Sequence, residues 1–341
     1  MITFKPKQVT KQMLSVLPER SRDVLSKRYG LGPDAETYTL EAIGQAYGIT
    51  RERVRQIENH SIQAIQKSDL YKEQVELFEE LHTNIVRLGG GLVAEHILLD
   101  DLAGDATTRN HLFFLMVLSD FFYRSRENPH YSHRWFTEKQ VAEAVEKALH
   151  KVYRTLERDE LISEHEIIGR FRQELDEVGN DHDDVVLKNW LLISKRIGCN
   201  PLGDWGKADS PNVRVKGVRD YAYLAVKRHG SPMHFKEVAK AIDELFGHKA
   251  HIATTHNELI KDERFVLVGR GLYALTEWGY APGVVKEVLR EVLEKEGPLS
   301  KEEIIDRVRK ERYVKDNTIV VNLQDSAHFK RLANGTYMVV E

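Results

Sequence analysis

The chain has 341 residues, 41% hydrophobic and 30% charged, and a formal net charge of −3. At about 150 residues per domain this is more than one domain, with the composition of an ordinary globular protein. No run approaches the roughly 20 apolar residues of a membrane span, residues 1–7 lack the apolar segment of a signal peptide, and a single cysteine, Cys199, excludes an internal disulfide and any multi-cysteine zinc site; a cytoplasmic protein with no membrane partner is expected.

The net charge conceals an asymmetry. Residues 1–72 carry 12 Lys and Arg against 8 Asp and Glu, residues 73–210 carry 16 against 26, and residues 211–341 carry 22 against 19. A polyanion is therefore expected at the two ends of the chain and not at its acidic middle.

Residues 1–68 predict three or four short helices. Pro18 sits where one helix has ended and the next begins; Val24, Leu25 and Tyr29 then share a helical face that Gly30-Leu31-Gly32-Pro33 breaks. Thr39 is the expected N-cap of a helix ending at Tyr47-Gly48, and Thr50 that of a helix from Arg51 to about Lys67. Helix, three-residue turn with glycine, helix is the helix-turn-helix layout.

Further on the chain repeats itself. Phe265 to Tyr273 and Phe329 to Tyr337 share Phe, Gly and Tyr at equal offsets and predict β-hairpins. Each follows three helical segments, the first ending at Gly230 or Gly297 and the second opening at Lys236 or Lys301. Three helices plus a hairpin is a winged-helix plan. Weaker copies are expected in the middle: helices 73–88, 94–102 and 110–119 with a wing over 121–136, then helices 138–157, 163–177 and 183–193 with a hairpin reaching Trp205. Ala208–Asn212 is the best linker candidate. The expected fold is mainly α: a helix-turn-helix domain over 1–72, then a tandem array of winged-helix modules at 73–137, 138–210, 211–281 and 282–341.

The sharpest chemical signal lies in Thr39–Glu58. With Val54, Ile57, Ala64 and Ile65 turned inward, Arg51, Glu52, Arg55, Gln56 and Asn59 fall on the opposite face near the helix start. Arg51 and Arg55 are like charges four residues apart, which costs an isolated helix stability; Glu58 is expected to offset part of this. An anionic groove does favour such a pair, since Arg reads guanine, Gln reads adenine and Glu accepts from cytosine. Leu17–Leu31, Thr39–Gly44 and above all Thr50-Arg-Glu-Arg-Val-Arg-Gln-Ile-Glu58 resemble region 4 of the sigma-70 family, the part that reads the promoter −35 element. The resemblance implies that Arg51, Glu52, Arg55 and Gln56 face bases and that Thr39, Leu40 and Arg53 lie near the phosphate backbone. Sigma factors place this region last, after domains that bind the −10 element and melt DNA; here it comes first, so a complete sigma factor is not expected.

A second resemblance covers about 214–281. Gly269-Arg-Gly-Leu-Tyr-Ala-Leu-Thr-Glu-Trp-Gly279, after Gly230-Ser-Pro-Met-His-Phe-Lys-Glu-Val-Ala239, is similar to the HARE-HTH winged helix, a family found in the RNA polymerase delta subunit and attached to restriction and chromatin proteins. It implies docking to polymerase or DNA. Lys261, Arg264 and Arg270 are the expected phosphate contacts there, with Lys330 and Arg331 at the matching wing of the last module, whereas Phe265, Leu272, Tyr273 and Trp278 are expected in the core.

Enzyme signals are poor. The chain has neither a phosphate-binding GxxxxGK[ST] loop nor a GxSxG elbow. Asp181–Asp184 suits a charged loop or a helix N-terminus better than a cation site. His130/His133 and His248/His251/His256 have loosely metal-like spacing without a completing ligand. No enzyme activity, cofactor, metal or small-molecule substrate is expected. The sequence points to a DNA-binding transcription regulator acting on a −35-like element with RNA polymerase core. The alternatives are a polymerase accessory protein in which DNA is secondary, and a DNA-binding component of a restriction or defence system.

Overall fold

The structure is a computed structural model describing residues 2–175, 181–280, 285–311 and 314–340. It divides into two compact units: residues 1–199 with 204–209, and residues 200–203 with 210–341.

The first unit opens with five helices, α1 (Pro6–Ser15), α2 (Glu19–Tyr29), α3 (Leu40–Tyr47), α4 (Arg51–Gln66) and α5 (Asp69–Lys72). Local chemistry sets their ends. Pro18 stands at the N-cap of α2, Thr39 and Thr50 accept hydrogen bonds from Ala42 N and Arg53 N, and Gly48 closes α3 at φ 65°. At Gly44 a Cβ would stand 2.7 Å from the Ile49 carbonyl oxygen, so the α3–α4 turn needs glycine there. Val24, Ile43 and Val54 form the small core that fixes α3 against α4.

Four times thereafter the chain runs helix, short extended segment, helix, helix, hairpin. In the first unit these are α6 (Val75–Gly89), β1 (Leu92–Ala94), α7 (Glu95–Leu102), α8 (Ala106–Leu118) and the β2 (Tyr123–Ser125)–β3 (Arg134–Phe136) hairpin. Next come α9 (Lys139–Thr155), Ile162, α10 (Glu164–Glu174), α11 (Asp184–Leu191), β4 (Ile197–Cys199) and β5 (Trp205–Lys207). The second unit continues with α12 (Val218–His229), β6 (Met233–His234), α13 (Phe235–Phe246), α14 (Ile252–Lys261), β7 (Phe265–Gly269) and β8 (Leu272–Leu275). It ends with α15 (Val285–Glu296), Leu299, α16 (Lys301–Glu311), α17 (Asp316–Leu323), β9 (Phe329–Arg331) and β10 (Tyr337–Val339). Each time the early segment pairs antiparallel with the second hairpin strand: β1 with β3, Ile162 with Trp205, β6 with β8, Leu299 with Tyr337. The expected end of a helix at Glu177 and the expected boundary at 281/282 lie outside the described residues.

Residues 1–72 and 73–137 share one core. Met13, Leu25, Ile65 and Tyr71 pack in the same cluster as Phe78, Ile85, Phe114, Leu115 and Trp135. Burying each such side chain contributes roughly 1.5–3 kcal/mol, so the N-terminal helices and the next segment are held by one apolar core. The chain crosses between the units at 199/200 and 203/204 and for the last time at 209/210, inside the expected linker Ala208–Asn212. That stretch is not an open tether, because Ser210 and Asn212 are 1% and 2% exposed and the Asn212 side chain accepts a hydrogen bond from Arg264 at 3.1 Å. Among the described residues no helix is long and apolar enough to cross a membrane.

Candidate nucleic-acid interface

The α3–turn–α4 segment presents one face of α4 to solvent. Arg51, Glu52, Arg53, Arg55, Gln56 and Asn59 are all exposed, while Val54, Glu58, Ser61 and Ile65 are buried beneath them. Arg55 donates two hydrogen bonds to Glu52, at 2.8 and 2.7 Å, and Arg53 donates one to Gln56 at 3.1 Å. The Arg55 bonds hold the Glu52 carboxyl below the usual carboxylate range. Exposed pairs of this kind are weak, so a base edge or a phosphate can displace them.

Glu58 favours the Arg55 charge as the sequence suggested, but only as the smaller contribution beside Glu52. Its carboxylate lies inside the bundle, 3.4 Å from the Arg28 guanidinium, and Arg55 is partnered one turn back by Glu52 instead. Burial first, and the Glu58 charge second, push the Tyr29 hydroxyl far up. Glu58 is thus an internal fastener between α4 and α2.

Spaced four residues apart, Arg51, Arg55 and Asn59 form one row along α4. That row is a wall of a cleft of ≈ 800 Å³ whose other walls include Arg28, Phe113, Tyr123 and Arg126. Three ties between distant segments hold the walls in place. Asn110 on α8 donates to the Gly30 and Ala35 carbonyls at 3.1 and 2.9 Å, and Gln66 at the end of α4 donates to the Leu118 carbonyl at 3.2 Å. Arg124 on β2 makes two bonds to Glu95, at 2.5 and 2.8 Å, with its guanidinium over the rings of Phe113 and Trp135. Gly30 matters here: it sits at φ 63°, and a Cβ would come within 2.5 Å of the Asn110 amide. Leu40, half-buried, and the Thr39 cap line a smaller recess with Arg28 and Arg51 at the start of α3.

The remaining candidates lie in the second unit. Lys261 and Arg270 are exposed beside the β7–β8 hairpin, and Lys330 and Arg331 are exposed on β9. Arg264 is a correction. Its guanidinium is turned inward and bonded to Asp262, Asp220 and Asn212, and it stacks on Tyr223; it is a structural cation with no free edge for a phosphate. Phe265 and Tyr273 are buried, and Leu272 and Trp278 are half-buried against the neighbouring core.

The suspected metal spacings have other occupations. Asp183 caps α11 and Asp184 pairs with Arg172 at 2.7 Å. His248 stacks on Tyr221, His256 on Phe235, and His133 accepts from the Glu127 amide. Among the described residues no three His, Cys, Asp or Glu side chains converge on a metal site. Sequence reasoning missed Arg28, Tyr123 and Arg126; the alternation Phe121-Phe-Tyr-Arg-Ser-Arg126 was the signal, but nothing local links it to α4.

Residues 13–67 match the family model for Sigma-70, region 4. The N-terminal region is similar to the RNA polymerase sigma factor SigA1 of Synechococcus elongatus, 44% identical over 66 residues, which are 18% of this chain and 16% of that protein. It is also similar to sigma factor SigA of a Bacillus species, 37% identical over 73 residues, 21% of this chain and 19% of that one. Against SigA of Synechocystis it is 42% identical over 66 residues, 18% and 15% of the two chains. The chain thus spans less than a fifth of the length of these relatives. Its N-terminal segment, residues 13–67, therefore matches sigma-70 region 4, and it folds as a helix-turn-helix.

Proposed function

We propose that this protein is a sequence-specific transcription regulator. Its α4 enters the major groove of a −35-like promoter element, and the chain acts in the cytoplasm together with RNA polymerase core. One observation carries the reading: Arg51, Glu52, Arg55, Gln56 and Asn59 stand together and exposed at the front of α4 in a segment that matches region 4. Residue types that read base edges, at the N-terminal end of the second helix, are what docking of a recognition helix uses. Thr39, Leu40 and Arg53 flank that face at the backbone. The four units after residue 72 are winged-helix modules in this reading, the one at 211–281 of the HARE-HTH kind, with Lys261, Arg270, Lys330 and Arg331 offered to phosphates.

Selection of bound duplexes from a random pool, with the full chain, tests this. Arg55→Ala is expected to weaken the preferred duplex about 5- to 150-fold and to relax the preference at one position, whereas Lys330→Ala weakens all duplexes alike. If Arg55→Ala leaves affinity and preference unchanged, α4 is not the reader.

A second reading is favoured by α14, whose outer face carries Ile252 and Ile260 at 48% and 62% exposure and no arginine. In it, the second unit docks on polymerase and DNA is secondary. Capture of polymerase by a chain that shows no preference in the duplex selection would support it.

A further inference from the structure

We infer that the β2–β3 hairpin, in the module after the helix-turn-helix, is a second jaw. One sugar-phosphate strand of the duplex read by α4 passes through the cleft between the two, and Arg126 holds it from the far side. The inference rests on the reading of α4 as a DNA-binding helix and extends it to a surface outside the sigma-like segment, beyond residue 67.

Charge supports this occupant. Arg51 on one wall and Arg126 on the other are exposed, line the same cleft, and make no salt bridge or side-chain hydrogen bond among the described residues. Two arginines that face each other with no carboxylate bonded to either leave a slot in which lining arginines outnumber the one lining carboxylate, Glu58, and which a phosphate strand neutralises. Size narrows the choice. A cleft of ≈ 800 Å³ lies in the range of small-ligand sites, a few hundred to about a thousand Å³, the scale of a short length of one strand. Position narrows it further. A helix lying in the major groove has a backbone strand along each flank, and the row Arg51–Arg55–Asn59 is both the edge of the base-reading face and the wall of the cleft. A strand bordering the groove therefore continues directly between the walls.

The floor suits sugars. Tyr29, Phe113 and Tyr123 also line the cleft, and Tyr123 is 58% exposed. The jaw is also rigid. Arg124 on β2 is bound to Glu95 and lies over Phe113 and Trp135, and Arg134 on β3 is bound to Glu146, so these two fix the hairpin from which Arg126 projects and do not themselves reach for DNA. Preorganised cations lose little freedom on binding.

The experiment uses the full chain and the duplex recovered by selection, alongside a scrambled duplex. Arg126→Ala is expected to weaken both about threefold at moderate salt and to make the log–log salt dependence shallower by about 0.9, one phosphate, with the base preference intact. Arg126→Glu has a larger effect of the same kind. Lys139→Ala, at an exposed lysine on α9 paired with Glu143, controls for general charge and leaves the slope unchanged. A duplex with neutral methylphosphonates flanking the site removes the difference between wild type and Arg126→Ala. An unchanged slope in Arg126→Ala overturns the inference, as does tighter binding, which would make the hairpin an obstruction, or a preference of wild type for single strands over duplex. If Arg55→Ala relaxes the base preference while Arg126→Ala is silent, only the jaw falls; if the wild-type chain binds no duplex, the reading of α4 falls and the jaw with it.

Discussion

α4 and α14 occupy similar places, each the second of two consecutive helices joined by a short turn, and their inner faces obey the same rule. Val54 and Ile65 are buried on one, Thr255 and Leu259 on the other. Their outer faces are opposites. α4 shows Arg51, Arg53 and Arg55 to solvent; α14 shows Ile252, Ala253 and Ile260 beside the uncharged Thr254 and Asn257, with a single cation, Lys261, at its last position. The arginine nearest α14 in sequence, Arg264, is spent inside the unit on Asp220 and Asp262. A shared frame of helices says how a chain buries its apolar side and nothing about what it meets; partner chemistry is written on the face the fold does not use.

The largest effect that sharpens this contrast is at Arg264. Asp220 is 3% exposed, and removing its cation leaves buried carboxylates unpaired, a loss of about 3–5 kcal/mol. Arg264→Ala is therefore expected to lower the urea midpoint of the second unit sharply, while Arg55→Ala on α4 leaves stability unchanged. If the two substitutions cost the same, Arg264 is a surface residue and belongs back among the phosphate contacts. The inner faces come next. Ile65→Ala and Leu259→Ala each empty a fully packed site and are expected to cost about 2–5 kcal/mol, the same range on both helices. A negligible cost at Leu259 would mean that α14 is loosely seated and that its apolar outer face is no fixed surface.

A smaller effect depends on pH and belongs to the first unit. His111 on α8 is 3% exposed, and neither ring nitrogen has a hydrogen-bond partner. Burial, helped by the charge of Lys7 and opposed by Asp105, pushes its pKa below the ordinary 6.5. The unfolded chain thus binds a proton near pH 6.5 that the folded chain refuses. Stability from this group is complete above about 6.5 and declines as pH falls through the lower folded value, by at most about 1.4 kcal/mol per pH unit. Unfolding midpoints at pH 7.5 and 5.5 should differ in wild type and differ less in His111→Leu. An identical drop in both would assign the acid sensitivity elsewhere.

How much of this was legible depends on the sequence distance each feature spans. The helix-turn-helix was legible because its determinants are local: Thr39 and Thr50 cap, Gly48 turns, and Val54, Ile57 and Ile65 repeat at helical spacing within a few residues of the groups they organise. Ser163 and Asp183 mark the starts of α10 and α11 in the same way. The extended segments Leu92–Ala94, Ile162, Met233–His234 and Leu299 were not legible. One to three residues cannot show an alternation, and their partners lie 38 to 44 positions later. The cleft was hidden for a related reason: Arg126 faces α4 only because Asn110 bonds Gly30 across 80 residues and Gln66 reaches Leu118 across 52. Arg264 misled because an arginine entering a hairpin looks free until Asp220, 44 residues earlier, is seen to face it.

The smallest effect is expected where the contrast is most exposed to refutation, at Ile260. Single apolar side chains on a surface are ordinary, but Ala253 and Ile260 are seven residues apart and so lie on one side of α14 with Ile252 beside them, and all three are exposed. If α14 lay along DNA as α4 is proposed to, Ile260→Arg would add a cation facing phosphates and tighten every duplex by about threefold, steepening the salt dependence by about 0.9. If α14 faces protein instead, the same substitution leaves duplex affinity within twofold and places a charge in an apolar contact, so polymerase capture falls. Measuring both quantities on one variant separates the cases. Tighter DNA binding with capture intact would erase the distinction between the two helices and make the second unit another reader of the duplex.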